Sequence, residues 1–169
     1  MTLEIIVKEL PGRKLAGMVV RTNMQKASTD CHAVWQAFGP RMVSFPNSAG
    51  ITEAYGVSVM ISEDGTFDYW AAAEIPADTE LPEELEDMVT FELPAGLYAC
   101  AFAPNLEHVA EAYGTMYMEW PQRQSDYAVN MQAPCVEVYR DGWQLTDPLE
   151  LWVPVVKKGC SRDIRQRFC

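Results

Sequence analysis

In the run Pro134-Cys-Val-Glu-Val-Tyr-Arg-Asp-Gly142 a carboxylate and a phenol lie two residues apart. The alternation is that of a strand, with Val136 and Val138 on one face and Cys135, Glu137 and Tyr139 on the other. If both faces are covered, Glu137 must be protonated, bonded within the protein, or held for a cationic guest, because an unpaired buried carboxylate is costly. On a strand with one solvated face the same residue is an ordinary exposed glutamate, and the segment taken alone favours that reading. Other chemistry is sparse. His32 and His108 fall near the starts of separate helical patterns with no third ligand at metal spacing, so no metal or cofactor is assigned. Cys31 and His32 are adjacent and diverge on a helix, which excludes a thiol–imidazole dyad there. No nucleophile elbow or phosphate loop occurs.

The elements that position Glu137 follow from pattern. Leu3–Leu10 and Leu15–Arg21 read as strands around a Pro11-Gly12 turn. Ser28-Thr-Asp30 offers N-caps to a helix whose apolar face is Cys31, Val34, Trp35 and Phe38, stopped by Gly39-Pro40. Residues 44–53 read as a loop, and Tyr55–Ile61 and Phe67–Ile75 as strands joined by Ser62-Glu-Asp-Gly65. The acidic run Pro76–Asp87 reads as a linker or exposed loop. The order then repeats: strands Met88–Leu93 and Leu97–Ala103 and a helix with face Val109, Tyr113, Met116, Tyr117 and Trp120, ended by Pro121. A polar loop to Ala133 and strands 134–140 and Leu149–Val155 complete the second half. Glu9-Leu-Pro-Gly-Arg-Lys-Leu-Ala matches Glu92-Leu-Pro-Ala-Gly-Leu-Tyr-Ala at an offset of 83 residues, which marks a duplication. The expected fold is α+β: two strand-strand-helix-strand-strand modules, about 1–75 and 88–156, each an antiparallel sheet with a helix on one face. A ligand groove lies between the copies, with both helices outside it.

Composition bounds the function. The chain has 169 residues, 49% of them hydrophobic, enough for one ordinary core rather than a disordered segment. Its net charge is −11, with residues 157–169 at +4 and residues 1–156 at −15. So acidic a body repels nucleic acid and attracts cations, although acidity also serves plain solubility. Five widely spaced cysteines without a CxxC pair suit reduced thiols, and no apolar run is long enough to span a membrane. The N-terminus lacks a secretion signal, so a cytoplasmic location is expected. The basic tail from Lys157, with Cys160 and Cys169, reads as an appendage to the domain.

Tyr117-Met-Glu-Trp-Pro121, Tyr127, Val136-Glu-Val-Tyr139 and Leu149-Glu-Leu-Trp-Val-Pro154, with the Val34–Phe38 helix and the Glu9–Gly17 opening, resemble the bacterial GyrI-like, or AraC-type effector-binding, family over residues 1 to about 156. The resemblance implies a duplicated module with a groove and a stand-alone binder of lipophilic, cationic small molecules, in a family that includes multidrug-binding members. The position of the charge partner falls on Glu137; the departure is Val136, where an aromatic is usual. Glu74 is a second candidate, since alternation puts Trp70, Ala72 and Glu74 on one face, though a solvated strand end explains it equally. Trp70, Tyr127 and Tyr139 are candidates for an aromatic lining, and Trp120 a further one, although Trp120 and Trp35 on helix faces also suit core packing. The alternatives the family implies are a hydrolase using Glu137 as base and a gyrase-modulating interaction module. A partner transcription regulator or gyrase is therefore expected to carry any effect on DNA, with no direct contact to nucleic acid or membrane.

Overall fold

The computed structural model describes residues 2–159, so residues 160–169 of the expected basic appendage, Cys160 and Cys169 among them, lie outside the described residues, whereas Lys157 ends the last strand and Lys158 donates to the carbonyls of Pro121 and Gln124. The first half comprises β1 (Ile6–Leu10), β2 (Arg13–Thr22), α1 (Ala27–Phe38), β3 (Glu53–Met60) and β4 (Phe67–Glu74). The second comprises β5 (Val89–Leu93), β6 (Gly96–Ala103), a composite helix, β7 (Tyr127–Val129), β8 (Cys135–Arg140) and β9 (Leu149–Lys157). Shifting β1 by the 83-residue offset gives 89–93, the bounds of β5, and sets Leu15 of β2 on Tyr98 of β6; their ladder partners Glu74 and Pro154 then correspond, so β9 follows β4 at an offset of 80. Among the described residues no helix is long and apolar enough to cross a membrane.

The two copies do not form separate sheets. All strands join one antiparallel sheet in the order β1-β6-β9-β8-β3-β4-β2-β5, with β7 added beside β9. Exchanging each strand for its duplicate turns this order into its own reverse, so the pseudo-twofold axis passes between β3 and β8. There Glu53↔Arg140 through Ser58↔Cys135 are paired. The first strand of each copy is exchanged: β1 pairs with β6, and β5 with β2. Only Pro11 and Gly12 separate β1 from β2, which stand near opposite ends of the strand order. Two intervening residues span at most about 11 Å, so the sheet must curl until its ends are neighbours. Trp152 of β9 consequently lies 5.1 Å from the guanidinium of Arg13 on β2, four strands away in the order.

Alternation divides the core between the two faces. One face carries Tyr55, Val57, Ala72, Val136, Val138 and Trp152. The other packs against the helices, Ala71, Ala73, Val34 and Phe38 on the α1 side, Leu149, Leu151, Ala112 and Met116 on the other. Local details depart from the sequence expectation for identifiable reasons. Asn23 Oδ1, rather than Ser28–Asp30, accepts the free N–H groups of Gln25 and Lys26 before α1, while Asp30 is occupied by the Thr22 hydroxyl at 2.7 Å. Gly39-Pro40 does not stop the chain turning; a 3-10 segment runs over Gly39–Ser44. The acidic run is anchored, since Leu85 is fully buried and Arg41 pairs with Asp87 at 2.6 Å. Pro121 does not end the second helix. α2 (Val109–Gly114) passes into a π stretch (Thr115–Glu119) and then α3 (Trp120–Arg123), with Pro121 in the first turn of α3. The wider π turn accommodates a residue that has no N–H and would crowd the preceding turn.

Candidate effector site

Glu137 lies at the centre of the seam, on the helix-bearing face, opposite Gly56 of β3. Its Oε1 accepts from Tyr69 Oη at 2.7 Å and from Tyr139 Oη at 3.2 Å. Tyr69 is itself held by Trp35 Nε1, which donates to its hydroxyl at 2.8 Å. An indole on α1 and a phenol on β4 therefore form a chain of donors that ends on the carboxylate of β8. Gly56 makes the arrangement possible: a Cβ there would stand 2.3 Å from Tyr69 Oη and 2.5 Å from Glu137 Oε1.

The immediate surroundings are aromatic, and the charged Glu53, Arg140 and Asp141 stand in the cleft beside them. The Tyr139 ring meets Trp35 and Trp143 edge-on, both at 5.0 Å between centroids. A cleft of about 340 Å3 has Trp35, Met42, Tyr139 and Trp143 in its walls. On the other side Tyr113 and Tyr117 reach towards the Cys135 thiol. Burial pushes the Cys31 thiol up to about 12, with the Glu137 charge adding to the effect. Burial also raises Tyr69, Tyr113 and Tyr139, again reinforced by Glu137. All these groups stay neutral near pH 7.

The Glu137 carboxyl is raised above the ordinary glutamate value by burial, against the opposing pull of the Tyr69 and Tyr139 hydrogen bonds. Among the described residues Glu137 has no ion-pair partner. A carboxylate without a cation of its own, bonded to two phenols beside aromatic rings, can accept a positive charge or take up a proton.

The sheet brings together some of the expected site residues and separates others. Glu137 and Tyr139 share the site. Trp70 and Glu74 stand on the opposite face: Trp70 packs beside Phe91 at 5.2 Å, and Glu74 beside Arg13 at 3.6 Å. Alternation correctly put Trp70, Ala72 and Glu74 on one face, but it carries no information about which face looks towards the helices. Trp120 and Tyr127 stack on each other at 6.3 Å and 14° in the helix-side cluster, bonded to neither Glu137 nor its phenols. The helices, expected outside the groove, wall the site instead, since Trp35 of α1 reaches Tyr69. Tyr69 and Gly56 escaped the sequence reading. A glycine inside the Tyr55-Gly-Val57 strand was the available signal for Gly56, because such a residue marks a close approach.

A model of the family Cass2, integron-associated effector binding protein, matches residues 6–155. A DNA gyrase inhibitor of Cronobacter turicensis is 34% identical over 94 residues, 51% of this chain and 55% of the inhibitor. The chain thus spans about half the length of that relative. SAV2435, solved bound to tetraphenylphosphonium, superposes with a TM-score of 0.68 at 18% identity, covering 90% of this chain and 94% of that one. The integron cassette protein VCH_CASS2 of Vibrio cholerae gives 0.59 at 19% identity over 90% and 95%. The C-terminal domain of EcmrR gives 0.60 at 15% identity over 93% and 99%. At these identities the structures establish the shared fold.

Proposed function

The chain belongs to the integron-associated effector binding protein family, a family of small-molecule effector-binding domains, and on that premise we propose that it binds lipophilic cations with Glu137 as their charge partner. The observation that carries the reading is the Glu137 carboxylate, half-buried between Tyr69, Tyr139 and Trp35 with no cationic side chain paired to it among the described residues. A planar or aryl-substituted cation would meet ring faces worth roughly 0.5–2 kcal/mol each and one full negative charge. The tetraphenylphosphonium held by SAV2435 makes that ion a natural probe.

The test is Glu137→Gln, which keeps shape and hydrogen-bonding capacity while removing charge. Tetraphenylphosphonium affinity, followed by calorimetry, should fall by about one to two orders of magnitude, the equivalent of roughly 1.5–3 kcal/mol for a charge-assisted contact. A neutral triaryl phosphine oxide should lose far less. Equal losses for the two ligands would make Glu137 a structural residue. Hydrolysis of activated esters abolished by the same substitution, with binding untouched, would establish the hydrolase alternative. The role as a gyrase modulator is supported by the match to the Cronobacter inhibitor and is tested by co-purification with gyrase in the presence and absence of ligand.

A further inference from the structure

The ladders place Glu137 on the pseudo-twofold axis itself. Tyr55 pairs with Ala72 and Val136 with Trp152, and Trp152 follows Ala72 at the offset of 80, so β8 follows β3 at an offset of 81. Gly56 and Glu137 are then duplicates of each other as well as partners in the ladder. Outward from that pair the seam runs twice, to Tyr139 and Asp141 in one direction and to their duplicates Ser58 and Met60 in the other. The two ends differ in chemistry. Met60 is an exposed methionine, whereas the Tyr139 end opens into the aromatic cleft of about 340 Å3. The fold makes this position twice and gives it an aromatic ring followed by a carboxylate once, so closing the sheet does not require them.

Asp141 continues the ladder one step past β8: its N–H donates to Thr52 O at 2.9 Å, which keeps it in phase with Glu137 and Tyr139. Gly142, at a left-handed φ of 79°, then reverses the chain. Trp143 N–H donates back to Arg140 O at 3.0 Å, and its ring returns against Tyr139. Asp141 and Trp143 therefore line the same cleft as Trp35 and Tyr139. The charged residues of that cleft are Glu53, Arg140 and Asp141. Arg140 is engaged by Glu53 and Glu150, and Glu53 also lies 3.9 Å from Arg13. Among the described residues Asp141 has no ion-pair partner, so it is the uncompensated charge of the cleft. A lone surface aspartate is an ordinary solvated residue. This one stands at the mouth of an aromatic cleft whose inner wall, the Tyr139 ring, carries the hydroxyl that donates to Glu137 at 3.2 Å. Four strand residues at about 3.3 Å each set the two carboxylates roughly 13 Å apart.

We infer that the site prefers dications, aryl-bridged bis-amidinium or bis-ammonium molecules whose inner charge meets Glu137, whose aromatic bridge lies along Trp35, Tyr139 and Trp143, and whose outer charge meets Asp141. The inference rests on the reading of Glu137 as the charge partner of a lipophilic cation. The cleft is of a size usual for small-molecule sites, and its rings attract the charge at either end of the bridge. Asp141 is exposed, so the outer charge keeps most of its water and enters at little desolvation cost. Met60 gives the opposite end of the seam no carboxylate, which fixes the direction in which such a ligand lies.

The experiment is calorimetric titration of the full chain with stilbamidine, a rigid diarylethene with an amidinium at each end, beside its analogue in which one amidinium is replaced by a carboxamide. The dication should bind about three- to tenfold more tightly, a modest factor because Asp141 is exposed. Asp141→Asn keeps the shape of the side chain and the backbone bond to Thr52, so the fold is retained. It should abolish the advantage of the dication and leave the carboxamide analogue within about twofold of its original affinity. Benzene-1,4-dicarboxamidine, whose charges are too close together to reach both carboxylates, should not respond to Asp141→Asn. Glu137→Gln should weaken both stilbene compounds. Equal binding of the two compounds, or an Asp141→Asn variant that weakens both alike or neither, with Glu137→Gln still weakening both, would overturn the role of Asp141 and leave that of Glu137 standing. Indifference of both compounds to Glu137→Gln would overturn the two together.

Discussion

Glu137 gives the proposed effector site a titrating group, with a pH dependence whose sign follows from its burial. Burial raises its carboxyl above the ordinary value of 4.5. Below that value the group is protonated in both folded and unfolded states and costs the fold nothing. As pH rises through the raised folded value, the folded state must ionise a buried group, and that share of stability is lost. Cation binding runs the other way, because the cation prefers the ionised form. Tetraphenylphosphonium affinity should therefore weaken as pH falls below the Glu137 titration, approaching about tenfold per pH unit, with proton release on binding visible in calorimetry across buffers of different ionisation heat. Glu137→Gln should give a flat profile. Tyr69→Phe removes the shorter of the two bonds holding the carboxylate ionised, so the whole profile should move to higher pH. A Tyr69→Phe profile that stays in place would show that the phenol positions the carboxylate without tuning it. Glu137 and Tyr139 were legible in the sequence because residues two apart on a strand share a face. Tyr69 was not, since it comes from another strand and its neighbour Trp70 attracted the reading to the wrong phase. Trp35 was legible as an apolar helix position, but a helix pattern does not reveal that one edge of a ring donates a hydrogen bond.

At the scale of elements, the site depends on how closely β3 and β8 bring their side chains to the seam. Gly56 is the point of contact, and Gly56→Ala inserts a methyl group where Tyr69 Oη and Glu137 Oε1 now meet. Neither neighbour is the loose end of a flexible chain, because Tyr69 is buried and tied to Trp35. Overpacking of this kind costs typically about 1–3 kcal/mol, so thermal unfolding should shift down accordingly, with tetraphenylphosphonium affinity falling alongside. Normal stability with normal affinity would mean that the Tyr69–Glu137 bond is dispensable. The strand pairs and α1 were legible because their alternation and 3.6-residue spacing are local signals. The composite second helix was only half legible. Its apolar positions predicted a helix, but the π stretch at Thr115–Glu119 exists because Pro121 sits inside the helical run instead of after it. β7 was missed altogether: three residues, Tyr127–Val129, are too few for a period, and their strand character comes from pairing with the end of β9.

For the whole molecule, the duplication was legible from the matched motifs and element order, whereas the exchange of first strands was not. Which edge a strand joins is decided by the curl of the complete sheet, and β1 reads the same whether it pairs within its own copy or with the other. The exchange has a thermodynamic consequence. Cutting the chain between Asp87 and Met88 removes three ladders at once, β1 with β6, β2 with β5 and β3 with β8. The shared core is divided as well, since Tyr55 and Ala72 come from the first fragment and Tyr98, Val136 and Trp152 from the second. What each fragment retains is a small sheet with one helix face covered, the other bare, and two or more open edges, a combination that exposes apolar surface and invites strand pairing. Residues 1–87 and 88–169 expressed apart should therefore fail to give a folded monomer, as read by amide dispersion, and pseudo-symmetry makes self-paired dimers their natural escape, each copy standing in for the missing half. Co-expressed, they should recover a one-to-one complex that binds tetraphenylphosphonium, because Glu137 and Tyr139 return on one fragment and Trp35, Gly56 and Tyr69 on the other. A well-dispersed monomer from either fragment alone would show that the exchanged strand is an ornament of the fold, and that each copy carries enough of its own core to stand without the other.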